Sequence, residues 1–81
     1  MEPHKVHRLI AVYDRTSELW VDRISISDAT FKFIRSRLKV SDDNPMYDCY
    51  PLEGDLLQNL QRMLVFSISE TCDYLLEAEI E

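Results

Sequence analysis

Apolar and polar residues follow two different periods along this chain, one typical of β-strands and the other typical of α-helices. The segment from Val6 to Asp14 is rich in β-branched and aromatic residues, which predicts a strand. Its centre, residues 9–12, is apolar at every position, so we expect a central strand that is covered on at least one side. After a polar break at residues 15–18, Leu19 to Ser27 predicts a second strand, and the short break favours a β-hairpin.

Two later segments carry apolar residues at helical spacing instead. The first predicts a helix from about Ala29 to Lys39, with Ser27 or Asp28 as its N-cap, because three apolar residues form one stripe: Phe31, Ile34 and Leu38. The second predicts a helix from Glu53 to Leu64, with one apolar face made of Leu56, Leu57, Leu60, Met63 and Leu64.

Between and after the helices, the pattern becomes extended. Residues 40–45 predict a loop, and Met46 to Leu52 is short and aromatic. Pro51 restricts this second segment to an edge strand or an irregular segment, and the sequence leaves both alternatives open. Thr71 to Ile80 alternates with period two, which predicts a half-buried strand whose polar face is an acidic stripe.

The predicted order of elements is β-β-α-(β)-α-β, in a single domain spanning residues 1–81. This order predicts an α+β fold, with a three- or four-stranded antiparallel sheet and two helices packed on one face. The other face of the sheet is expected to stay partly open to solvent, as antiparallel sheets tolerate.

Charge changes this picture more than composition does. The 81 residues are 46% hydrophobic and 30% charged, which argues against disorder, and the net charge is −6. Residues 1–41 carry a net charge of +3, whereas residues 42–81 carry −9. Such asymmetry is typical of a protein with an electrostatic partner, although an acidic surface also serves solubility. An acidic surface attracts basic proteins and repels nucleic acids and anionic membranes.

The sequence also indicates the compartment. The longest apolar runs are far too short to span a bilayer, and the first residues lack the apolar core of a signal peptide. We therefore expect a cytoplasmic protein with no membrane partner. The two cysteines, Cys49 and Cys72, are expected to be free thiols, because disulfides are rare in the cytosol.

The residues that could carry chemistry form no recognisable site. The possible metal ligands His4, His7, Cys49 and Cys72 lack the close pairing of zinc sites, and Gly54 alone cannot make a phosphate-binding loop. No serine or cysteine lies in the context of an activated nucleophile. We therefore predict no enzymatic activity, no cofactor and no metal, and the acidity disfavours direct nucleic-acid binding.

Protein binding is the remaining class. The loop around residues 42–52 places carboxylates beside tyrosines, a composition typical of interface hot spots. The alternative for Tyr47 and Tyr50 is that they pack under the second helix. The candidate partner-binding residues come from this loop, the first turn of the second helix and the last strand: Asp42, Asp43, Tyr47, Asp48, Tyr50, Glu53, Asp55, Asp73, Glu77 and Glu79.

Two stretches, RLIAVYD in the first strand and DDNPMYDCYPL after the first helix, are similar to a group of small bacterial proteins. With them the chain resembles the immunity proteins of contact-dependent growth-inhibition and related polymorphic toxin systems. The resemblance covers about Arg8 to Ala78, and its most distinctive run is Asp43 to Leu52.

The resemblance implies a cytoplasmic inhibitor that binds a cognate toxin domain tightly and blocks its active site or a needed surface. We expect a monomer in a one-to-one complex. Many such toxins are nucleases, often RNases that act on tRNA, and they are basic because they bind RNA. An acidic inhibitor substitutes its carboxylates for the phosphates. The binding face is then expected on the C-terminal half, since residues 1–41 are mildly basic. The alternative is a generic adaptor or regulatory domain that binds partners through an open sheet face or an exposed edge strand.

Overall fold

Four antiparallel strands form one sheet in the described part of the chain: β1 (Val6–Asp14), β2 (Trp20–Ser25), β3 (Tyr50–Pro51) and β4 (Cys72–Ile80). The structure is a computed structural model, and it describes residues 6–80 apart from the side chain of Ile80. The strand order is β2-β1-β4-β3, so β1 and β4 are the central strands. With helices α1 (Asp28–Leu38) and α2 (Gly54–Leu64), this arrangement confirms the predicted α+β fold.

Both helices pack on one side of the sheet, which we call the helix face. Alternate residues of the central strands, such as Ile10 and Leu76, point into one buried cluster with the helices. The other members of this cluster are Val12, Phe31, Ile34, Met46, Leu52, Leu56, Leu57, Leu60 and Tyr74. Burying one large apolar side chain contributes about 1.5–3 kcal/mol, so this cluster is the main source of stability.

The helix boundaries follow from their caps and lie within one residue of the predicted ones. Ser27 is the N-cap of α1, because its Oγ accepts a hydrogen bond from the backbone N–H of Thr30 at 3.2 Å. At the other ends, Lys39 and Val65 adopt the left-handed conformation that terminates α1 and α2. None of the described helices is long and apolar enough to cross a membrane.

The second strand is shorter than predicted, and both ends have a physical reason. It begins at Trp20 instead of Leu19, whose carbonyl oxygen closes the turn by accepting from the backbone N–H of Asp14 at 2.9 Å. It ends at Ser25 because Ser27 is used as the cap of α1. The last strand begins at Cys72, one residue later than predicted.

The segment after the loop combines the two alternatives that the sequence left open. Tyr50 and Pro51 form a two-residue edge strand that pairs with Leu76 and Leu75 of β4. Met46 is not extended: its backbone is left-handed, with φ 55°, and its side chain is 1% exposed in the core. The first part of this segment is therefore a loop that is anchored in the core.

Candidate functional site

The side of the sheet opposite the helices, which we call the open face, carries polar, charged and aromatic side chains from three strands. The strand pairings place alternate residues of β1 and β4 on this face, together with the β2 residues that pair with them across a register shift between Val12 and Tyr13: His7, Leu9, Ala11, Tyr13, Trp20, Arg23, Ser25, Asp73, Leu75, Glu77 and Glu79. Leu9 and Ala11 are only 2% and 0% exposed, although no described helix covers them. The open face therefore has an apolar floor beneath a rim of long polar and aromatic side chains.

Trp20 is the largest apolar group on the open face. It remains 48% exposed, and its neighbours Leu19 and Val21 are 67% and 57% exposed. The indole lies 6.1 Å from the ring of Tyr13, and the guanidinium of Arg23 lies 4.3 Å from the centre of the indole. A tryptophan in contact with an aromatic ring and a cation is restricted in its orientation.

The three predicted binding acids of β4 lie together on the open face, as the period-two pattern indicates. Each of them, however, contacts a side chain from the N-terminal half of the chain. The contacts join Asp73 to Arg15 at 3.1 Å, Glu77 to the hydroxyl of Tyr13 at 2.7 Å, and Glu79 to Arg23 in an ion pair. The acidic stripe of β4 is thus partly neutralised by its neighbours in the sheet.

Glu77 connects the open face to the loop before β3. One of its oxygens, Oε2, accepts from the Tyr13 hydroxyl and lies 3.6 Å from Sγ of Cys49. The hydrogen bond to Glu77 raises the pKa of Tyr13. Burial, followed by the charge of Glu77, raises the pKa of the Cys49 thiol. A raised pKa keeps the thiol protonated at neutral pH, which is unfavourable for a nucleophile.

Two acids of the loop, Asp42 and Asp43, contact residues outside this cluster. Asp42 pairs with Arg35 of α1 at 3.3 Å, and Asp43 accepts a hydrogen bond from the hydroxyl of Ser41. Asp48 is exposed. Asp42 and Asp43 are therefore a second, smaller acidic group beside α1, whereas Asp48 adjoins Cys49 and its charge contributes to the raised pKa of that thiol.

The remaining predicted residues divide between surface and core. Tyr47 is 52% exposed, whereas Tyr50 is half-buried and packs against the core cluster. Glu53 is the N-cap of α2 without a side-chain capping bond, and Asp55 lies in the first turn, where the helix dipole favours a carboxylate.

Arg8 fixes the loop that carries Tyr47. Its guanidinium lies on the helix face, 4.2 Å from the centre of the Phe31 ring, and donates to the carbonyl oxygens of Met46 and Pro45, the latter at 2.6 Å. Arg8 is partly buried, and this burial lowers the pKa of its guanidinium. Since two adjacent carbonyls are held by one guanidinium, the loop has little freedom at this point.

Two depressions meet at the Arg15–Asp73 pair. One has a volume of about 310 Å³ and lies between Tyr13, Glu18 and Leu75 on the open face. The other has a volume of about 350 Å³ and lies between β4 and the start of α2. Neither is lined by a histidine, so neither joins a nucleophile to an imidazole base.

A protein-family comparison adds one finding to this geometry. The sequence profile of a family described as a domain of unknown function, DUF7683, matches residues 7–77. The chain belongs to the DUF7683 family. No curated protein and no solved structure gave a significant match to it.

The matched segment of this DUF7683 domain contains all ten predicted binding residues except Glu79. Among the residues that the structure describes, no group of three or more His, Cys, Asp or Glu side chains could hold a metal ion. His7 lies in β1, where its Nε2 is 3.0 Å from the hydroxyl of Ser25, and His4 lies outside the described residues. Cys49 and Cys72 are free thiols in the structure.

The sheet of the DUF7683 domain interleaves the two oppositely charged halves of the sequence. Because β4 lies beside β1, basic residues of the first half meet acids of the second half across the sheet. Three residues that contact these acids are not among the predicted binding residues: Tyr13, Arg15 and Arg23. The period-two register of the first two strands already contained the signal for Tyr13 and Arg23.

Proposed function

We propose that this domain binds another protein through its open face, with Trp20 at the centre of the contact. The observation that carries this proposal is the exposed indole, oriented by Tyr13 and Arg23, which is preceded and followed in the chain by exposed apolar residues. Trp, Tyr and Arg are the residue types that contribute most to protein interfaces, particularly when a polar rim surrounds them.

The rim supports a partner with mixed but mainly positive charge. Asp73, Glu77 and Glu79 lie on the same face, and the whole chain carries a net charge of −6. A basic partner would be attracted at long range by the net charge. On contact, its cations would replace Arg15 and Arg23 as the ion-pair partners of Asp73 and Glu79. The contact surface therefore includes both halves of the sequence, in contrast to the expectation of a purely C-terminal binding face.

The more specific form of the proposal is that the partner is a basic nuclease toxin domain, and that this chain is its cytoplasmic immunity protein. The resemblance of two sequence stretches to such inhibitors supports it, as does the charge of −9 on residues 42–81. In this role the open face would cover a surface that the toxin needs, and the carboxylates would occupy the positions of RNA phosphates.

The test is co-expression with the protein encoded directly upstream, followed by titration calorimetry of the purified pair. Trp20→Ala is expected to weaken binding about 30-fold or more, which corresponds to a hot-spot loss of about 2 kcal/mol. Val65→Ala is the matched control, because Val65 is 88% exposed but lies at the end of α2. Equal losses in both variants, or no complex with the unmodified chain, contradict the proposal.

Charge reversal separates the two acidic groups. Changing Asp73, Glu77 and Glu79 together to Lys is expected to lower the association rate about tenfold or more at low salt, because steering depends on charge near the contact. The same change at Asp42, Asp43 and Asp48 should have the smaller effect. A reversed order would move the contact to the loop beside α1.

The alternative role is that of an adaptor, and the mixed charge of the open face favours it over a uniform phosphate mimic. A growth experiment distinguishes the two roles. Cells that produce the upstream protein should survive only with the unmodified chain and should lose protection with Trp20→Ala. If the upstream protein is harmless and a complex still forms, the immunity role is wrong and the adaptor role remains.

A further inference from the structure

We infer that the outer edge of β2 accepts an extended segment of the partner as a fifth strand of the sheet. This inference rests on the proposed function and adds a second contact beside the open face. Within the described chain, no strand pairs with this edge, since β2 is the first strand in the order β2-β1-β4-β3. Five of its six residues are exposed, including Trp20 and Val21.

The direction of the backbone groups follows from the register. The backbone N–H of Ile26 donates to the carbonyl oxygen of Arg8 at 3.1 Å. Hydrogen-bonded and non-bonded pairs alternate along antiparallel strands, so Ile24 also faces β1, whereas Arg23 and Ser25 face outwards. These outward groups can be satisfied by a chain in extended conformation, which defines the kind of segment that fits.

The opposite edge of the sheet, formed by β3, is poorly suited to accept an extended segment. β3 has only two residues, and one of them, Pro51, has no backbone N–H to donate. The β2 edge has no proline, but the side chain of Asp22 occupies one of its backbone donors in the free protein. Its Oδ1 accepts from the backbone N–H of Arg23 at 2.8 Å.

Strand addition would therefore change the hydrogen-bond acceptor of the backbone N–H of Arg23. A carbonyl oxygen of the incoming segment replaces Oδ1 of Asp22 at the Arg23 N–H. The released carboxylate then faces the incoming strand, where a Lys or Arg directly opposite stabilises the pair. The segment that fits best is thus extended and carries a basic residue opposite Asp22, in agreement with a basic partner.

A second copy of this chain is the less suitable occupant. In a symmetric antiparallel pair, outward-facing residues of one β2 must meet outward-facing residues of the other. The two registers with the greatest overlap place either the two copies of Asp22 or the two copies of Arg23 directly opposite each other. Like charges in such positions are destabilising, and both copies carry a net charge of −6.

Residue-resolved amide exchange by NMR tests the inference, with the upstream protein as the probe. On complex formation, the amides of Arg23 and Ser25 should exchange at least about tenfold more slowly. The amide of Ile24, which already faces β1, should change less. This alternating pattern distinguishes strand addition from simple coverage of the surface.

A variant pair supplies a second measurement. Ser25→Pro removes the outward N–H, whereas Ser25→Ala removes only the side-chain contact to His7. We expect Ser25→Pro to weaken the complex about tenfold and Ser25→Ala less than about twofold, which corresponds to the loss of one backbone hydrogen bond and the adjacent pairing. Circular dichroism checks that both variants fold. If Ser25→Pro does not fold, the amide-exchange pattern of the unmodified chain in the complex decides the question.

Each result has one meaning. If a complex forms while Arg23 and Ser25 exchange as before, the edge inference is overturned and the open-face proposal stands. If no complex forms, both are overturned. If the free chain sediments as a dimer with these same amides protected, the occupant is a second copy and the inference of a partner strand is wrong.

Discussion

The two faces of the sheet are made from the same strands but exclude water by different means. On the helix face, Ile10 and Leu76 are covered by a second layer of secondary structure. On the open face, Leu9 and Ala11 are as deeply buried, yet they lie between cross-strand neighbours such as Arg23 and Glu77. Low exposure therefore identifies the centre of the sheet but does not show which face carries a second layer.

The first prediction tests whether the two kinds of burial stabilise the fold equally. Leu76→Ala should lower the free energy of unfolding by about 3–5 kcal/mol, because it leaves a cavity between sheet and helices. Leu9→Ala should cost about 2 kcal/mol, since mobile side chains can close over the gap. Urea unfolding of both variants measures the difference. Equal losses would show that the open face is packed as tightly as the helix face.

The second prediction compares two arginines on opposite faces. Arg8→Met should cost about 2 kcal/mol, because two carbonyl oxygens of the loop lose a charged donor. Arg15→Met should cost less than about 1 kcal/mol, because its ion pair with Asp73 is exposed on both sides. The same urea experiment measures both, and faster amide exchange at Met46 in Arg8→Met would locate the effect in the loop. A larger loss for Arg15→Met contradicts the comparison.

The third prediction concerns the alkaline behaviour of the open face. Tyr13→Phe should cost about 0.5–1 kcal/mol at neutral pH, through its hydrogen bond to Glu77. Because the pKa of Tyr13 is raised in the folded state, this contribution is complete below the ordinary value of 10.0 and is lost as the pH rises through the folded value. Unfolding measured against pH should show the two proteins converging. Tyr47→Phe is the control for the loss of a hydroxyl group at an exposed position of the loop.

The smallest expected effect is on the reactivity of Cys49. Glu77→Ala removes a carboxylate that raises the pKa of this thiol, so alkylation at pH 8 should become severalfold faster. Asp73→Ala, on the same face of β4, should leave the rate unchanged. Peptide mass spectrometry reports Cys49 separately from Cys72. An unchanged rate in Glu77→Ala would mean that burial alone determines the pKa of Cys49.

The sequence was sufficient for the fold and insufficient for the contacts. Period-two and helical spacing located both helices within one residue and indicated that the acids of β4 share a face. The sequence pattern does not indicate that β4 pairs with β1, because this pairing depends on tertiary packing. For that reason the partners of Asp73 and Glu79 were missed. The local sequence predicts an extended segment at Met46, since nothing near it indicates that Arg8, 38 residues earlier, donates to its carbonyl oxygen.

The strand order also has a consequence for the time course of folding. The β1–β2 hairpin is local and can form within microseconds, but β1 pairs with β4 across separations of 58 to 74 residues. Closing so long a segment is slow on entropic grounds, so folding is expected in milliseconds to seconds. During this interval the hairpin has both edges free, and its apolar centre at residues 9–12 is exposed to other nascent chains. A cell that produces this protein rapidly therefore risks aggregation at the stage before the last strand is inserted.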